Sequence, residues 1–416
     1  MPSFTSLPGF RDFYPAEFRI RSHIMNVWRE VARRYGFEEY DGPPLEPLEL
    51  YTEKSGEEIV RQLYNFVDKG DREVALRPEM TPTFARMVGA RAAGMRKPIR
   101  WFSIPQLFRY ERTQRGRLRE HFQWNVDIVG EDSVAADAEI LAVAIDSLRM
   151  LGLTEKDIVA RVNDRRYLER LLAQAGVPNE KLTGAYAVID KMSREKDATT
   201  RDRFRDEVGL GEGQIDALLE SFKKPVPTGE GAQALTEYLE HLRSLGLGDF
   251  VQWDPRIVRG LAYYTGIVFE IFDRQGELRA ICGGGRYDSL LKTVSNADLP
   301  ALGFGMGDVV LTELLTDRAL LPPTEQSVDY YIVAVTDAEQ AMQREVARTL
   351  RDAGNSVAYG FKTGGVGKQF KDADARGASK VIVLGPDEVA SGVAVVKDMK
   401  SGQEEKVPLR EIDGRR

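Results

Sequence analysis

After Pro15, apolar residues recur at Ile20, Ile24, Val27, Trp28, Val31 and Tyr35. That three-to-four spacing predicts a helix with one buried stripe, and Gly36 stands where a C-terminal cap belongs. The stretch Gly42 to Tyr51 (GPPLEPLELY) must start extended, because Pro43 and Pro44 fix the backbone. From Lys97 to Gly130 the period drops to two. Pro98–Glu111 reads as a strand, Thr113–Arg117 as a polar turn around Gly116, and Arg119–Val129 as the returning strand. In the return, Gln123, Asn125 and Asp127 share one face and Trp124, Val126 and Ile128 the other. The pattern predicts a long antiparallel hairpin with one polar face, followed by a helix over Ala135–Leu151.

Residues from about Asn163 to Leu247 are rich in Glu, Lys, Arg, Leu and Ala, with breaks at Gly176–Pro178 and Lys224–Gly229. They are assigned to a helical insertion, 163–247. A second hairpin is expected from Arg259–Phe272, a turn at Asp273–Gly276, and Leu278–Cys282. It places Tyr263 and Tyr264 on opposite strand faces. The glycines of Gly283–Gly285 follow, then those of Leu302–Asp308 (LGFGMGD), then an apolar helix. Leu321–Ser327 (LPPTEQS) reads as a linker. Beyond it strands and helices alternate, which predicts a small α/β domain over 328–416. The segments 1–162 and 248–320 are then two parts of one core.

Composition narrows the chemistry. The single cysteine, Cys282, excludes an internal disulfide framework and a Cys-based zinc site. Three histidines far apart, His23, His121 and His241, argue against a His cluster, so no metal ligands are assigned. No run approaches the roughly 18–20 apolar residues of a membrane span. The first residues lack a basic region followed by an apolar core, so a cytoplasmic location with no membrane partner is expected. The formal net charge is −7, and Val328–Arg416 holds 14 Lys and Arg against 14 Asp and Glu. A nucleic-acid partner would therefore need a local basic groove.

Several stretches could carry chemistry. FRYER (Phe108 to Arg112) places Arg109 and Glu111 on the same face of a strand, the turn adds Arg115 and Arg117, and the return adds Arg119. Guanidinium forks match phosphate oxygens and stay charged, which suits a polyphosphate. On charge alone the same hairpin reads as a solvated basic surface. In RPEMT (Arg77 to Thr81), Glu79 by itself reads as a carboxylate at a helix N-terminus. In RGLAYYTG (Arg259 to Gly266) the plain reading is a surface arginine beside a core tyrosine. GGGRYD (Gly283 to Asp288) permits close backbone approach to a ligand or tight packing, and is not a Walker loop, because no Gly-Lys-Ser/Thr follows. GFGMG (Gly303 to Gly307) fits a strand against which a ligand ring or a helix packs. Cys282 reads as a small core residue.

The order of these stretches is more specific than any of them. RPEMT, FRYERTQRGRLREHFQ, RGLAYYTG, GGGRYD and GFGMG, followed by an α/β domain with KQFKDADARGASKVIVLG (Lys368 to Gly385), resemble the histidyl-tRNA synthetase family over nearly the whole chain. The resemblance implies an α+β fold. It comprises a class II synthetase-like antiparallel sheet core flanked by helices, a helical insertion, and a C-terminal α/β anticodon-binding domain. It implies ATP-dependent activation of L-histidine and transfer to tRNA(His), with ATP, Mg²⁺ and a homodimer. Arg109 and Glu111 match motif 2, where the arginine holds the α-phosphate and the amino-acid carboxylate and the glutamate meets the adenine amino group. Glu79 and Thr81 match the pair that receives the α-amino group. Gln123, Asp127, Tyr263 and Tyr264 match the imidazole pocket, and Arg259 matches an arginine beside the α-phosphate. Pro43 matches the motif 1 proline of the dimer interface. Three positions depart from the pattern. Val310 stands where motif 3 has an ATP-clamping arginine, with Asp308 nearby. Ala262 replaces a common aspartate. His121, next to Phe122, occupies the position of the phenylalanine that stacks on adenine. Arg117 or Arg119 is expected to take up part of the missing clamp. Val310 also admits an alternative, a weak or inactive paralogue regulating histidine biosynthesis. A synthetase for another amino acid is opposed by RGLAYYTG.

Overall fold

The computed structural model describes residues 4–52, 60–192, 195–227, 229, 231–259, 263–276, 278–295, 297–325 and 327–412. The substitution at Ala262 lies outside them, as do residues 413–416 at the end of the expected last domain. Two compact units form: Met1–Tyr14 with Phe18–Pro322, and Pro15–Glu17 with Pro323–Arg416.

The strands of the first unit are β1 (Glu38–Glu39), β2 (Leu45–Pro47), β3 (Tyr64–Val67), β4 (Glu73–Leu76), β5 (Ile99–Ser103), β6 (Gln106–Phe108), β7 (Glu120–Val129), β8 (Ile158–Asp164), β9 (Val251–Trp253), β10 (Ile267–Asp273), β11 (Cys282–Arg286) and β12 (Ala301–Gly307). Nine of them make one sheet in the order β1-β5-β7-β12-β11-β10-β8-β9, with β6 also paired to β7. The pairs from β5–β7 through β10–β8 are antiparallel; β1–β5 and β8–β9 are parallel. Strands β2, β4 and β3 form a small separate sheet.

Alternation decides which face each strand buries. Trp124, Val126 and Ile128 of β7, Leu302, Phe304 and Met306 of β12, and Ile267, Phe269 and Ile271 of β10 all enter one core. The helices Pro15–Arg34, Val134–Met150 and Asp308–Asp317 cover it, and Trp28 stacks on Trp124 at 5.9 Å. Each large apolar side chain buried this way contributes about 1.5–3 kcal/mol. The opposite face is covered only in part, by the helices Thr81–Gly89 and Leu290–Ser295. The uncovered stretch of that face is where the cavity lies.

Three expectations need correction. The strand expected over Pro98–Glu111 breaks into β5 and β6, because Pro105 has no N–H for the ladder. Arg109 and Glu111 therefore sit in a loop and share no strand face. The return begins at Glu120, so Arg117 and Arg119 lie before it. The second hairpin is shifted towards the C-terminus. Strand β10 starts only at Ile267, which leaves Arg259, Tyr263 and Tyr264 in the preceding segment, with Arg259 at φ +60°. Its partner β11 runs through the three glycines to Arg286.

The stretch 163–247 divides between two cores. Helices Arg165–Gln174, Leu182–Lys191, Asp197–Arg203 and Glu212–Ser221 surround their own cluster of Leu168, Leu172, Val188, Phe204 and Ile215. Helix Gln233–Ser244 instead sends Leu235, Tyr238, Leu239 and Leu242 into the main core, and Asn163 and Asp164 are the last two residues of β8. The helical insertion is thus narrower than its expected bounds.

In the second unit, β13 (Val328–Ala334), β14 (Val357–Tyr359), β15 (Ala378–Leu384), β16 (Val393–Asp398) and β17 (Glu404–Pro408) form a sheet ordered β14-β13-β15-β16-β17. The first three strands are parallel and the last two antiparallel. Ile332 and Tyr331 enter opposite clusters, so the sheet is buried on both faces. Strand β17, EEKVP, was not anticipated; its Glu404, Glu405 and Lys406 are exposed.

A buried ion pair ties the end of β11 to the Val134–Met150 helix. The Arg286 Nη2 donates to Asp137 Oδ2 at 2.7 Å and to the Ser133 carbonyl at 3.1 Å, and Nη1 donates to the Glu131 carbonyl at 3.0 Å. Burial pushes the Asp137 carboxyl up to about 6, against the pull of Arg286. Removing one partner strands the other charge, so Arg286→Ala is expected to lose about 3–5 kcal/mol of stability. Urea denaturation measures it; a loss below about 1 kcal/mol would show the pair to be dispensable.

Candidate functional site

A cavity of about 880 Å³ opens over the polar face of β7 and the glycine faces of β11 and β12. Its floor depends on missing side chains. Gly303 pairs with Asp127 across β12–β7, and a Cβ there would overlap the Asp127 carboxylate. A Cβ at Gly305 would overlap the Gln123 amide, and one at Gly283 the Arg259 guanidinium. The three polar side chains therefore occupy space above the sheet that glycine alone leaves open.

Asp127 is 5% exposed, and its Oδ1 accepts the Tyr287 hydroxyl proton. Burial pushes its carboxyl up to about 7, although the Tyr287 hydrogen bond acts in the opposite sense. Tyr263, Tyr264 and Tyr287 form one ring cluster, with centroids 5.0 to 6.4 Å apart. The Tyr263 hydroxyl donates to Glu79 Oε2 at 3.4 Å. Glu79 precedes the Thr81–Gly89 helix, and its segment is anchored by Arg77, which donates to Asp41 and to the Gly42 and Gln106 carbonyls. Thr81 lines the same cavity.

Arg259 reaches into the cavity from its left-handed backbone and donates to Glu270 Oε1 at 2.5 Å. Burial disfavours its charge, but Tyr264 and Glu270 outweigh that and hold its pKa above the ordinary range. Arg109 is steered by a hydrogen bond from Nε to the Pro78 carbonyl at 2.9 Å. Arg117 Nη2 donates to Glu111 Oε1 at 2.8 Å, so these two residues neutralise one another at the cavity wall. His121 also lines the cavity. Burial lowers its pKa to about 3, helped by Arg109, Arg11 and Arg117, and keeps the imidazole neutral.

Two expected nucleotide contacts are not brought to the cavity. Arg119 lies over the Tyr110 ring at 4.3 Å, and its Nε bonds the Glu111 carbonyl. Phe122 falls on the opposite face of β7 from His121 and Gln123, beneath Arg21 at 4.6 Å and against Phe13. Arg115 is also spent elsewhere, on Glu313 and Asp317 of the last core helix. Asp308 is engaged within the protein: Arg11 pairs with it at 2.9 Å, and the Phe122 N–H donates to it. The sequence assigns no role to Glu270 or Tyr287. A charged residue inside the apolar run VFEIF is the available sign for Glu270, and the place of Tyr287 within GGGRYD is the one for Tyr287.

A glycine-floored antiparallel sheet, with arginines on a motif 2-like loop over it, defines a class II aminoacyl-tRNA synthetase type of catalytic unit. Residues 9–308 match the family model described as histidyl-tRNA synthetase, and residues 329–414 match that of the anticodon binding domain. The chain is 43% identical to a histidine–tRNA ligase of Opitutus terrae, covering 99% of this chain and 98% of that protein. It is 40% identical to the chloroplastic/mitochondrial histidine–tRNA ligase of Arabidopsis thaliana, over 97% of this chain and 85% of that one. The crystal structure of histidyl-tRNA synthetase from Nostoc sp. PCC 7120 superposes with a TM-score of 0.82 at 25% identity, over 99% of each chain. The chain belongs to the histidyl-tRNA synthetase family.

The Asp127 carboxyl gives a pH test. Its folded-state pKa, about 7, lies above the ordinary value of 3.8. The native state therefore keeps a proton that the unfolded chain releases, and stability from this group is lost as pH rises through about 7. Asp127→Asn should be more stable than the unsubstituted protein at pH 8, by about 1–4 kcal/mol, and lose that advantage near pH 4. Thermal melts at both pH values check it. Equal destabilisation at both would contradict the burial argument.

Proposed function

We propose that the chain is a histidine–tRNA ligase that activates L-histidine with ATP and transfers it to tRNA(His). The reading rests on one observation above all: Asp127, Gln123, Glu79, Tyr264, Arg109 and Arg259 converge on a single cavity. Glu79 and Thr81 receive the α-amino group. Gln123, Tyr263 and Tyr264 enclose the imidazole, and Asp127 accepts one of its N–H groups. Arg109 and Arg259 hold the amino-acid carboxylate and the α-phosphate.

ATP arrives as its Mg²⁺ complex. A carboxylate oxygen of histidine attacks the α-phosphorus, the bond to the bridging oxygen breaks, and pyrophosphate leaves with the electron pair. Arg259 stabilises the charge that gathers on the α-phosphate oxygens. Glu270 and the space over Gly283 hold it in place beforehand, so little reorganisation is needed during reaction. The terminal ribose hydroxyl of tRNA then attacks the histidyl carbonyl carbon, and AMP leaves. Glu111 and Arg117 part when nucleotide binds: the carboxylate meets the adenine amino group and the guanidinium meets phosphate. The neutral imidazole of His121 stacks on adenine, where a cation would compete with the phosphate sites. Arg119 and Phe122 serve the loop and the strand instead.

The C-terminal unit binds the tRNA anticodon. The active form is a homodimer, with exposed Pro43 and the small sheet bearing half-exposed Phe66 and Val67 at its interface. This enzyme stands in a variant branch lacking the motif 3 arginine. Val310 at that position is the feature that favours the second reading, a regulatory paralogue without catalysis.

Purified protein should catalyse histidine-dependent ATP–pyrophosphate exchange without tRNA. Arg259→Ala should lower kcat for exchange by about 10²–10⁴-fold, with a smaller change in the KM for histidine. Absence of exchange in folded protein would favour the regulatory paralogue. A kcat within a few-fold of the unsubstituted value would remove Arg259 from the reaction.

A further inference from the structure

In GGGRYD the first glycine floors the cavity beneath Arg259, and the last three residues fix one hydroxyl in place. Tyr287 stands between two anchored neighbours. The Arg286 guanidinium is tied to Asp137 and to the Glu131 and Ser133 carbonyls. Asp288 Oδ1 accepts the Ala301 N–H at 3.2 Å, and the Asp288 N–H donates to the Thr265 hydroxyl at 3.2 Å. The Tyr287 N–H itself donates to the Ala301 carbonyl at 2.7 Å. Its ring packs edgewise on Tyr263 and Tyr264, with centroids 5.7 and 6.4 Å away, and the residue is 2% exposed. Backbone and ring are therefore both held, and the hydroxyl has one direction in which to point.

That direction is Asp127, whose Oδ1 accepts the hydroxyl proton. A carboxylate has two acceptor oxygens, so this bond leaves Oδ2 to a ligand. A donated hydrogen bond favours the ionised carboxylate, whereas burial favours the neutral acid. The strands on either side place Gly303 and Trp101 opposite Asp127, so no charge comes from those two positions. The hydroxyls that feel its charge are Tyr40, Tyr264 and Tyr287, and burial raises the pKa of each, as it does for Tyr263. His121, two strand steps before Gln123 and Asn125 on the same face, is held neutral. Charged groups stand beyond the tyrosines: Glu79 accepts the Tyr263 hydroxyl, and Arg259 lies 5.7 Å from the Tyr264 ring centroid.

We propose that Tyr287 is a positioning residue for histidine: its hydroxyl takes one oxygen of Asp127, leaves the other to an imidazole N–H, and favours the ionised acceptor over the neutral acid. The inference rests on the ligase reading, which sets the imidazole against Asp127. Tyr287 acts through Asp127, and the fixed RYD backbone is what aims it.

Calorimetric titration of L-histidine into the full-length protein and its Tyr287→Phe variant, at pH 6.5 and pH 9, tests this. Phenylalanine keeps the ring and removes the hydroxyl. Without the donated bond Asp127 should ionise about one pH unit higher. Histidine should then bind the variant about five- to tenfold more weakly at pH 6.5, and within about twofold of the unsubstituted protein at pH 9. The ligand's own titration is common to both proteins and cancels in the ratio. In the ligand-free proteins, carbon-13 NMR should show the Asp127 carboxyl titrating about one unit higher in Tyr287→Phe. A loss of affinity that is the same at both pH values would mark a packing role and overturn the proposal. Equal affinities at both pH values, or an unshifted Asp127 titration, would overturn it too. An unsubstituted protein that binds no histidine would strike the ligase reading and this inference together, whereas normal binding with a flat ratio strikes this inference alone.

Discussion

The site depends on the close approach of polar side chains to the faces of β11 and β12 that have none. Gly303, Gly305 and Gly283 leave room for the Asp127 carboxylate, the Gln123 amide and the Arg259 guanidinium to lie along the sheet. On the reverse face of the same strands, Leu302, Phe304 and Met306 are fully or nearly buried. Those residues fix the register. A shift of one residue would turn the apolar set into the cavity and the glycines into the core. The hydrophobic core and the empty floor are thus two consequences of one alternation.

Upon that floor the charged and polar groups are prepared in pairs. Glu270 holds Arg259, Tyr287 holds Asp127, Tyr263 touches Glu79, and Arg117 holds Glu111. Burying such groups without partners would cost several kcal/mol each. The pairs therefore serve two purposes: they make the empty cavity tolerable, and they aim the groups at a ligand. They differ in what a ligand must do. Under the proposed function, Arg259 and Glu270 can remain together while the arginine faces a phosphate, whereas Glu111 and Arg117 have to separate if they are to meet adenine and phosphate.

Much of this was legible along the chain. The period-two run ending in β7 identified both the buried set Trp124, Val126, Ile128 and the cavity set Gln123, Asn125, Asp127. The same alternation already separates His121 from Phe122, so assigning both to the nucleotide contradicted the strand's own geometry. Alternation alone puts Arg109 and Glu111 on one strand face, but Pro105 interrupts the ladder and leaves both in a loop. The second hairpin was misplaced because strand propensity cannot register the positive φ of Arg259. Tyr287 and Glu270 escaped notice for a different reason: their roles come from partners 160 and 11 residues away. Such contacts exist only after β10, β11, β12 and β7 are assembled.

The central claim is that missing side chains on β12 create the histidine pocket. Calorimetric titration of L-histidine into full-length Gly303→Ala tests it most directly. The added Cβ meets Asp127 and the Val126 carbonyl, so the carboxylate must move off the floor. Histidine affinity should fall by about tenfold or more, about 1.4 kcal/mol. Histidine binding by Gly303→Ala as tight as that of the unsubstituted protein would contradict the account.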